Sequence, residues 1–237
     1  MRKPLVTRLR DWLGGIELVV FLGTLVLVAG GWAFLVIADE VMEGDAQRLD
    51  EHILRALRRP DNPSIPIGPA WLLEVARDVS ALGSTTVLAL VTVAVTSFLV
   101  LDRKRGAAAF VLVATVTGFT LSHFLKSYFQ RPRPTIVPHL VNARFSSFPS
   151  GHSLMSAVVY LTLGILLARL VARRRLKLHV LVVALLLTGL VGLSRVFLGV
   201  HYPTDVLAGW CAGLVWASLC WLIERRLQYR GAVEPGL

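Results

Sequence analysis

Charge is scarce in this chain. Only 17% of its 237 residues are Asp, Glu, Lys or Arg, against about 25% in an ordinary soluble domain. Cysteine is scarcer, with Cys211 and Cys220 alone, both inside one apolar run. On one helix that separation is about 13 Å, and a disulfide needs Cα atoms within about 7 Å. A disulfide scaffold is excluded, and both are read as small buried apolar side chains. Alternating strand patterns are absent, which argues against a membrane barrel. No glycine-rich nucleotide fingerprint, zinc-ligand spacing or internal repeat is present.

What fills the chain is apolar. Hydrophobic residues make up 55% and mean hydropathy is +0.65, too apolar for a soluble globule of this size. Six apolar segments stand out, at 16–38, 84–101, 106–125, 151–170, 180–200 and 204–223. Each matches the ~17–25 residues that cross the hydrocarbon core, and open backbone groups in lipid demand helices. The first exceeds the ~7–15 residues of a signal-peptide core and lacks a small-x-small cleavage site, so it reads as a retained span. The expectation is an all-α membrane protein: one domain over 1–237, six transmembrane helices in a bundle, and an outer amphipathic loop at 39–83. Gly192, Gly199, Gly209 and Gly213 are expected to permit close helix packing.

The net charge is +10. In a soluble protein that would suggest nucleic acid; here the placement of charge points to topology instead. Fifteen of the 25 Lys and Arg fall on one side of the six spans, in the clusters Arg2–Arg10, Arg103–Arg105, Arg169–Lys177 and Arg225–Arg230. The positive-inside rule puts that side, and both termini, in the cytoplasm. The 39–83 loop then lies outside. Leu49, Ile53, Leu54 and Leu57 share a helical face there, a Pro-rich break follows at Pro60–Pro69, and a second helical piece covers Trp71–Val79. The plain reading is a helix pair lying on the outer leaflet; a gate over a site is the sharper one.

Three polar clusters face that same outer compartment. They are Lys126 to Pro134, Phe148 to Ser153, and Ser194 to Asp205. Lys126, Arg133 and Arg195 supply cations suited to phosphate oxygens. Ser150 is a natural N-cap and Gly151 allows close backbone approach, so the start of the fourth span can cradle an anion. Asp205, four residues after His201, can accept from one ring nitrogen and leave the other as a nucleophile. His152 is then available as general acid.

The set K-x6-R-P, P-S-G-H and S-R-x5-H-x3-D resembles the signature of the type 2 phosphatidic acid phosphatase superfamily. It stands here as Lys126…Arg133-Pro134, Pro149-Ser150-Gly151-His152 and Ser194-Arg195…His201…Asp205. The resemblance implies a membrane-embedded phosphatase with its catalytic core in spans three to six. His201 would become phosphohistidine, supported by Asp205, while His152 protonates the leaving group. Lys126, Arg133, Ser150, Gly151, Ser194 and Arg195 would hold the phosphoryl group. It also implies no metal or other cofactor. The substrates implied are lipid phosphates such as phosphatidic acid, phosphatidylglycerophosphate, undecaprenyl pyrophosphate or the phosphates of lipid A. The site would face the outer, periplasmic side of an inner membrane, and nucleic acid is not an expected partner. A phosphatase for soluble esters and a non-catalytic lipid transporter that kept an anion pocket remain the alternatives.

Other polar residues carry less. Arg131 opens a second Arg-Pro pair, but only Arg133 has the required spacing from Lys126. His123 and His139 read as structural or loop residues, Arg144 as a solvated or headgroup-facing cation and Glu17 as interfacial. Trp32, Trp71, Trp210, Trp216 and Trp221 read as packing or membrane-belt residues.

Overall fold

The structure is a computed structural model and describes residues 5–143 and 145–229. Arg144, and the terminal cations Arg2, Lys3 and Arg230, lie outside the described residues. The elements in chain order are α1 (Leu5–Glu43), α2 (Gln47–Ala56), β1 (Arg58–Arg59), β2 (Asn62–Pro66), α3 (Ala70–Leu82), α4 (Thr85–Leu101), α5 (Arg105–Phe129), α6 (Gly151–Leu170), α7 (Arg174–Phe197) and α8 (Pro203–Tyr229). Stretches of α1, α5, α6, α7 and α8 are each long and apolar enough to cross a membrane. α3 and α4 meet the same length and apolarity only as a pair, bent by 47° at the break between them, and count as a sixth crossing when taken as one span. The fold is therefore an all-α membrane bundle with one two-stranded ribbon.

α6 is the central helix. It is apolar all round, the pattern of a helix surrounded by others, and its residues from Ser153 to Leu166 are mostly buried. Leu154, Met155, Val158 and Val159 pack with Leu88 of α4 and Ala212 of α8. Two glycines set its distance from α8. A Cβ on Gly209 would lie 2.7 Å from the Ser150 carbonyl oxygen, and one on Gly213 2.6 Å from that of Leu154. Gly192 of α7 similarly makes room for the Trp210 ring. Gly199 has a different use from the expected one: it sits in the α7–α8 turn with φ +74. That left-handed geometry suits glycine and ends α7 at Phe197, short of the apolar run's end at Val200.

Local chemistry sets the other ends. Ser84 Oγ accepts from the Val87 N–H at 3.3 Å, capping α4. Gln130 closes α5 at φ 47, and Pro132 and Pro134 bar further helix. Away from the core, Phe21, Trp32, Val93, Phe98, Phe124 and Leu185 are exposed, as a lipid-facing belt requires. Trp32 and Trp71 belong to that exposed set, whereas Trp221 is buried. Cys211 and Cys220 are both free.

The 39–83 loop departs from the expected pair of surface helices. α2 is embedded: Asp50 and Leu54 are fully buried and Leu49 is 62% exposed. Leu54 packs against Val137, Val196, Tyr202 and Val206 of the polar end of the bundle. The Pro-rich break contains the antiparallel β1–β2 ribbon, with Arg58 opposite Pro66 and Arg59 opposite Asn62. Strands this short, with Pro63 and Pro66 in the second, carry no readable alternation. Arg58 is buried and its Nη1 donates to the Phe197 carbonyl oxygen at 3.0 Å, where a cation complements the end of α7. Burial pulls the Arg58 guanidinium below its ordinary value.

Candidate active site

The α5 end, the start of α6 and the α7–α8 turn meet around a cavity of about 250 Å³. Lys126, Arg133, His152 and Arg195 form its polar wall, and Phe119, Phe145 and Met155 an apolar one. Larger open grooves of about 490 and 570 Å³ lie elsewhere on the bundle, but none gathers this set of groups.

Each cation is held before any anion arrives. Lys126 Nζ donates to the Ser146 carbonyl oxygen at 2.8 Å. Arg133 donates from Nε to Phe145 O at 3.0 Å and from Nη1 to Val200 O at 2.6 Å. Arg195, on the last turn of α7, is 5% exposed and donates from Nη1 to Ser80 Oγ at 2.7 Å. Its Nε is buried with no hydrogen-bond partner among the described residues. An orphaned buried donor at a cationic cavity suits an anionic oxygen.

His201 lies behind this wall, 1% exposed. Its Nδ1 is 3.3 Å from Asp205 Oδ2 and its Nε2 is 3.2 Å from Arg133 Nη1. The four-residue spacing works because Tyr202-Pro203 turns the chain into the first turn of α8, where Asp205 also accepts from the Tyr202 N–H at 2.9 Å. Ser147 Oγ donates to the same carboxylate oxygen. Burial, followed by the charges of Arg133, Lys126 and Arg195, holds His201 well below the usual histidine range. The Arg133 guanidinium can only donate, so the Nε2 beside it is the accepting nitrogen. A proton on Nδ1, facing the carboxylate, leaves the Nε2 lone pair toward Arg133. Burial also pulls Arg133 below its ordinary value, with Asp205 opposing; a guanidinium stays charged regardless.

His152, on the first turn of α6, lines the cavity. A Cβ on Gly83 would come within 3.4 Å of its Cβ and Cδ2, so the ring rests on the α3–α4 break. Gly151 lets the Lys126 stem approach: its Cβ would stand 3.3 Å from Lys126 Cε. The N–H groups of Gly151 and His152 belong to those a helix start leaves without intrahelical partners.

Two expected phosphate ligands are placed differently. Ser150 is fully buried, and its Oγ accepts from Ser153 N at 3.4 Å and from Ser153 Oγ at 3.0 Å. Its own N–H donates to the Asp205 carbonyl oxygen at 2.9 Å. It caps α6 and ties it to α8. Ser194 does not line the cavity, because its hydroxyl donates to Val191 O in its own helix at 2.7 Å.

Several contributors escaped the sequence reading. His123, expected to be structural, lines the cavity. His139, by contrast, is a loop residue as read, bonded to Pro134 O at 2.7 Å. Ser147 and Ser80 brace Asp205 and Arg195. Ser147 directly precedes the P-S-G-H cluster, which was an available signal; Ser80, 115 residues from Arg195, offered none. Arg131 points away from the cavity into a buried ion-pair network with Asp50 and Asp205.

The sequence profile of the PAP2 superfamily matches residues 106–229. Phosphatidylglycerophosphatase B of Bacillus subtilis is 34% identical over 183 residues, covering 77% of this chain and 86% of that protein. Lipid A 1-phosphatase of Rhizobium etli is 31% identical over 47% of each chain. Among solved structures, a transmembrane PAP2-type phosphatidylglycerolphosphate phosphatase from B. subtilis superposes with a TM-score of 0.77 at 31% identity, over 85% of this chain and 96% of its own. LpxE of Aquifex aeolicus gives 0.53 at 26% identity, over 74% and 92%. With the profile spanning more than half of its length and the alignment to the B. subtilis enzyme most of both proteins, the chain belongs to the PAP2 superfamily and is a multi-pass, metal-independent membrane lipid phosphatase.

Proposed function

We propose that the enzyme hydrolyses terminal phosphate or diphosphate esters of membrane lipids through a phosphohistidine. His201 Nε2 attacks phosphorus as the bond to the lipid oxygen breaks, and His152 donates a proton to that oxygen. Water then gives a proton to His152 and attacks phosphorus, the P–N bond breaks, and His201 is restored. Lys126, Arg133, Arg195 and the first-turn N–H groups of Gly151 and His152 balance the phosphoryl charge. Those cations occupy the electrostatic role that a metal fills in other phosphatases. The observation that carries this reading is the divided environment of the His201 ring, with Asp205 at Nδ1 and the cationic wall at Nε2.

The apolar wall of Phe119, Phe145 and Met155 favours a lipid ester over a water-soluble one. The extent of similarity to phosphatidylglycerophosphatase B puts phosphatidylglycerophosphate first among the candidates, with phosphatidic acid, undecaprenyl pyrophosphate and lipid A phosphates behind it. The basic clusters of the opposite end support, by the positive-inside rule, cytoplasmic termini and a site on the outer side.

Phosphate release from these lipids and from glucose 6-phosphate, with and without chelator, tests the reading. Lipid turnover should exceed soluble-ester turnover and persist with chelator. Rapid quenching should trap an acid-labile, base-stable phosphoenzyme that His201→Ala abolishes. Full turnover by His201→Ala would overturn the nucleophile assignment.

A further inference from the structure

Arg131 presents a problem of charge. Its Nη1 donates to Asp205 Oδ1 at 2.8 Å, and its side chain is 9% exposed. Asp205 is the carboxylate at His201 Nδ1. Attack on phosphorus builds positive charge on the imidazole, which an adjacent carboxylate stabilises. A buried guanidinium paired with that carboxylate would cancel it at the step where it is needed.

The second partner of Arg131 resolves the conflict. Asp50, on α2, is fully buried, and its Oδ2 accepts from Arg131 Nη2 at 2.9 Å. Arg131 thus lies between two carboxylates, stacked on the Tyr202 ring at 4.2 Å, with Gln47 Oε1 as a further acceptor at 3.1 Å. Asp50, Arg131 and Asp205 together carry one net negative charge, and His201 adjoins the end of that row. Asp50 also accepts from the Thr204 N–H at 3.0 Å and from its hydroxyl at 2.5 Å, next to Asp205 in the first turn of α8.

We propose that Asp50 is a positioning residue that acts through Arg131: it neutralises the guanidinium, so that the charge of Asp205 serves His201 during phosphoryl transfer. The outer segment between the first two crossings is then part of the catalytic apparatus. This inference rests on the His201 reading above. A simple clasp that holds α2 against α8 would also regain stability when both charges are removed, so kcat is read per folded enzyme beside the unfolding temperature: a clasp moves the unfolding temperature and leaves kcat per folded enzyme at the wild-type level in Asp50→Asn.

The test compares Asp50→Asn, Arg131→Gln and the double variant with wild type in native membrane vesicles, using phosphatidylglycerophosphate and inorganic phosphate as competitive inhibitor. Asp50→Asn should lower kcat at least about tenfold, with KM and phosphate inhibition within about threefold, because Lys126, Arg133 and Arg195 are untouched. The double variant restores one net negative charge and should recover at least about threefold in kcat over Asp50→Asn. If Asp50→Asn does not accumulate, the double variant decides alone: kcat within about tenfold of wild type supports the proposal, and a folded but inactive double overturns it. Wild-type kcat in Asp50→Asn, or a double variant no faster than Asp50→Asn, also overturns it. His201→Ala runs beside them. Its inactivity leaves the nucleophile standing if the Asp50 series fails, and its full activity removes the nucleophile together with this inference.

Discussion

Lys126 and Ser146 hold each other by a reciprocal pair of hydrogen bonds: Lys126 Nζ donates to Ser146 O, and Ser146 Oγ donates to Lys126 O, both at 2.8 Å. The lysine is thereby aimed from the last turn of α5 by a residue twenty positions away. Ser146→Ala removes one of the two bonds, with a net worth of about 1 kcal/mol. It should weaken kcat/KM roughly fivefold, the equivalent of that energy, and Lys126→Met should cost far more. Steady-state phosphate release distinguishes the two.

Close approach of α6 and α8 makes Gly209 intolerant. Gly209→Ala forces a Cβ to within 2.7 Å of Ser150 O and 2.8 Å of Ser153 Cβ, so α6 must shift at the turn that carries His152. Overpacking of this kind costs about 1–3 kcal/mol, and both the unfolding temperature in detergent and turnover should fall. Gly189→Ala, whose Cβ would meet nothing within 4 Å, should leave both unchanged.

The depressed basicity of His201 gives stability a pH dependence of definite sign. Below about pH 6.5 the unfolded chain protonates this imidazole, whereas the folded protein, which holds it well below the usual range, does not. The unfolded state then binds more protons, so stability declines as pH falls from about 6.5 toward the folded value. Thermal unfolding measured from pH 8 to 5 should show the decline, and His201→Gln should make it shallower.

At the other end of the bundle, Arg169 of α6 makes a two-pronged pair with Glu224 of α8, both bonds 2.9 Å, with Glu224 6% exposed. Arg169→Met strands a buried carboxylate and should cost about 3 kcal/mol. Arg169→Met with Glu224→Met should be more stable than Arg169→Met alone, because no unpaired charge remains. Thermal unfolding checks the order, and lipid phosphatase activity of the folded fraction should be unaltered.

Legibility of this molecule followed the range of the forces involved. The crossings were readable because lipid imposes a length and an apolarity on each segment separately. The bend between α3 and α4 was not, since it depends on Gly83 packing against Val191 and His152. The convergence of Lys126, Arg133, His152 and Arg195 on one cavity, with His201 and Asp205 beside it, was readable because the motifs are short spacings. Asp50 was invisible beside the apolar stripe of α2: its partners Arg131 and Thr204 lie 81 and 154 residues away. The partners that Ser150 and Ser194 take were not legible, because a hydroxyl in a phosphate motif can equally cap a helix or bond its own backbone.

α6 is joined to α8 at both extremities, by the Ser150 N–H on the Asp205 carbonyl and by Arg169 on Glu224. The two helices are thereby tied at both ends. One imidazole leaves from the first turn of α6 and the other sits just ahead of the first turn of α8, so their spacing is set by this doubly tied pair. A headgroup that needs more room meets the α3–α4 elbow on the other side of His152, at Gly83.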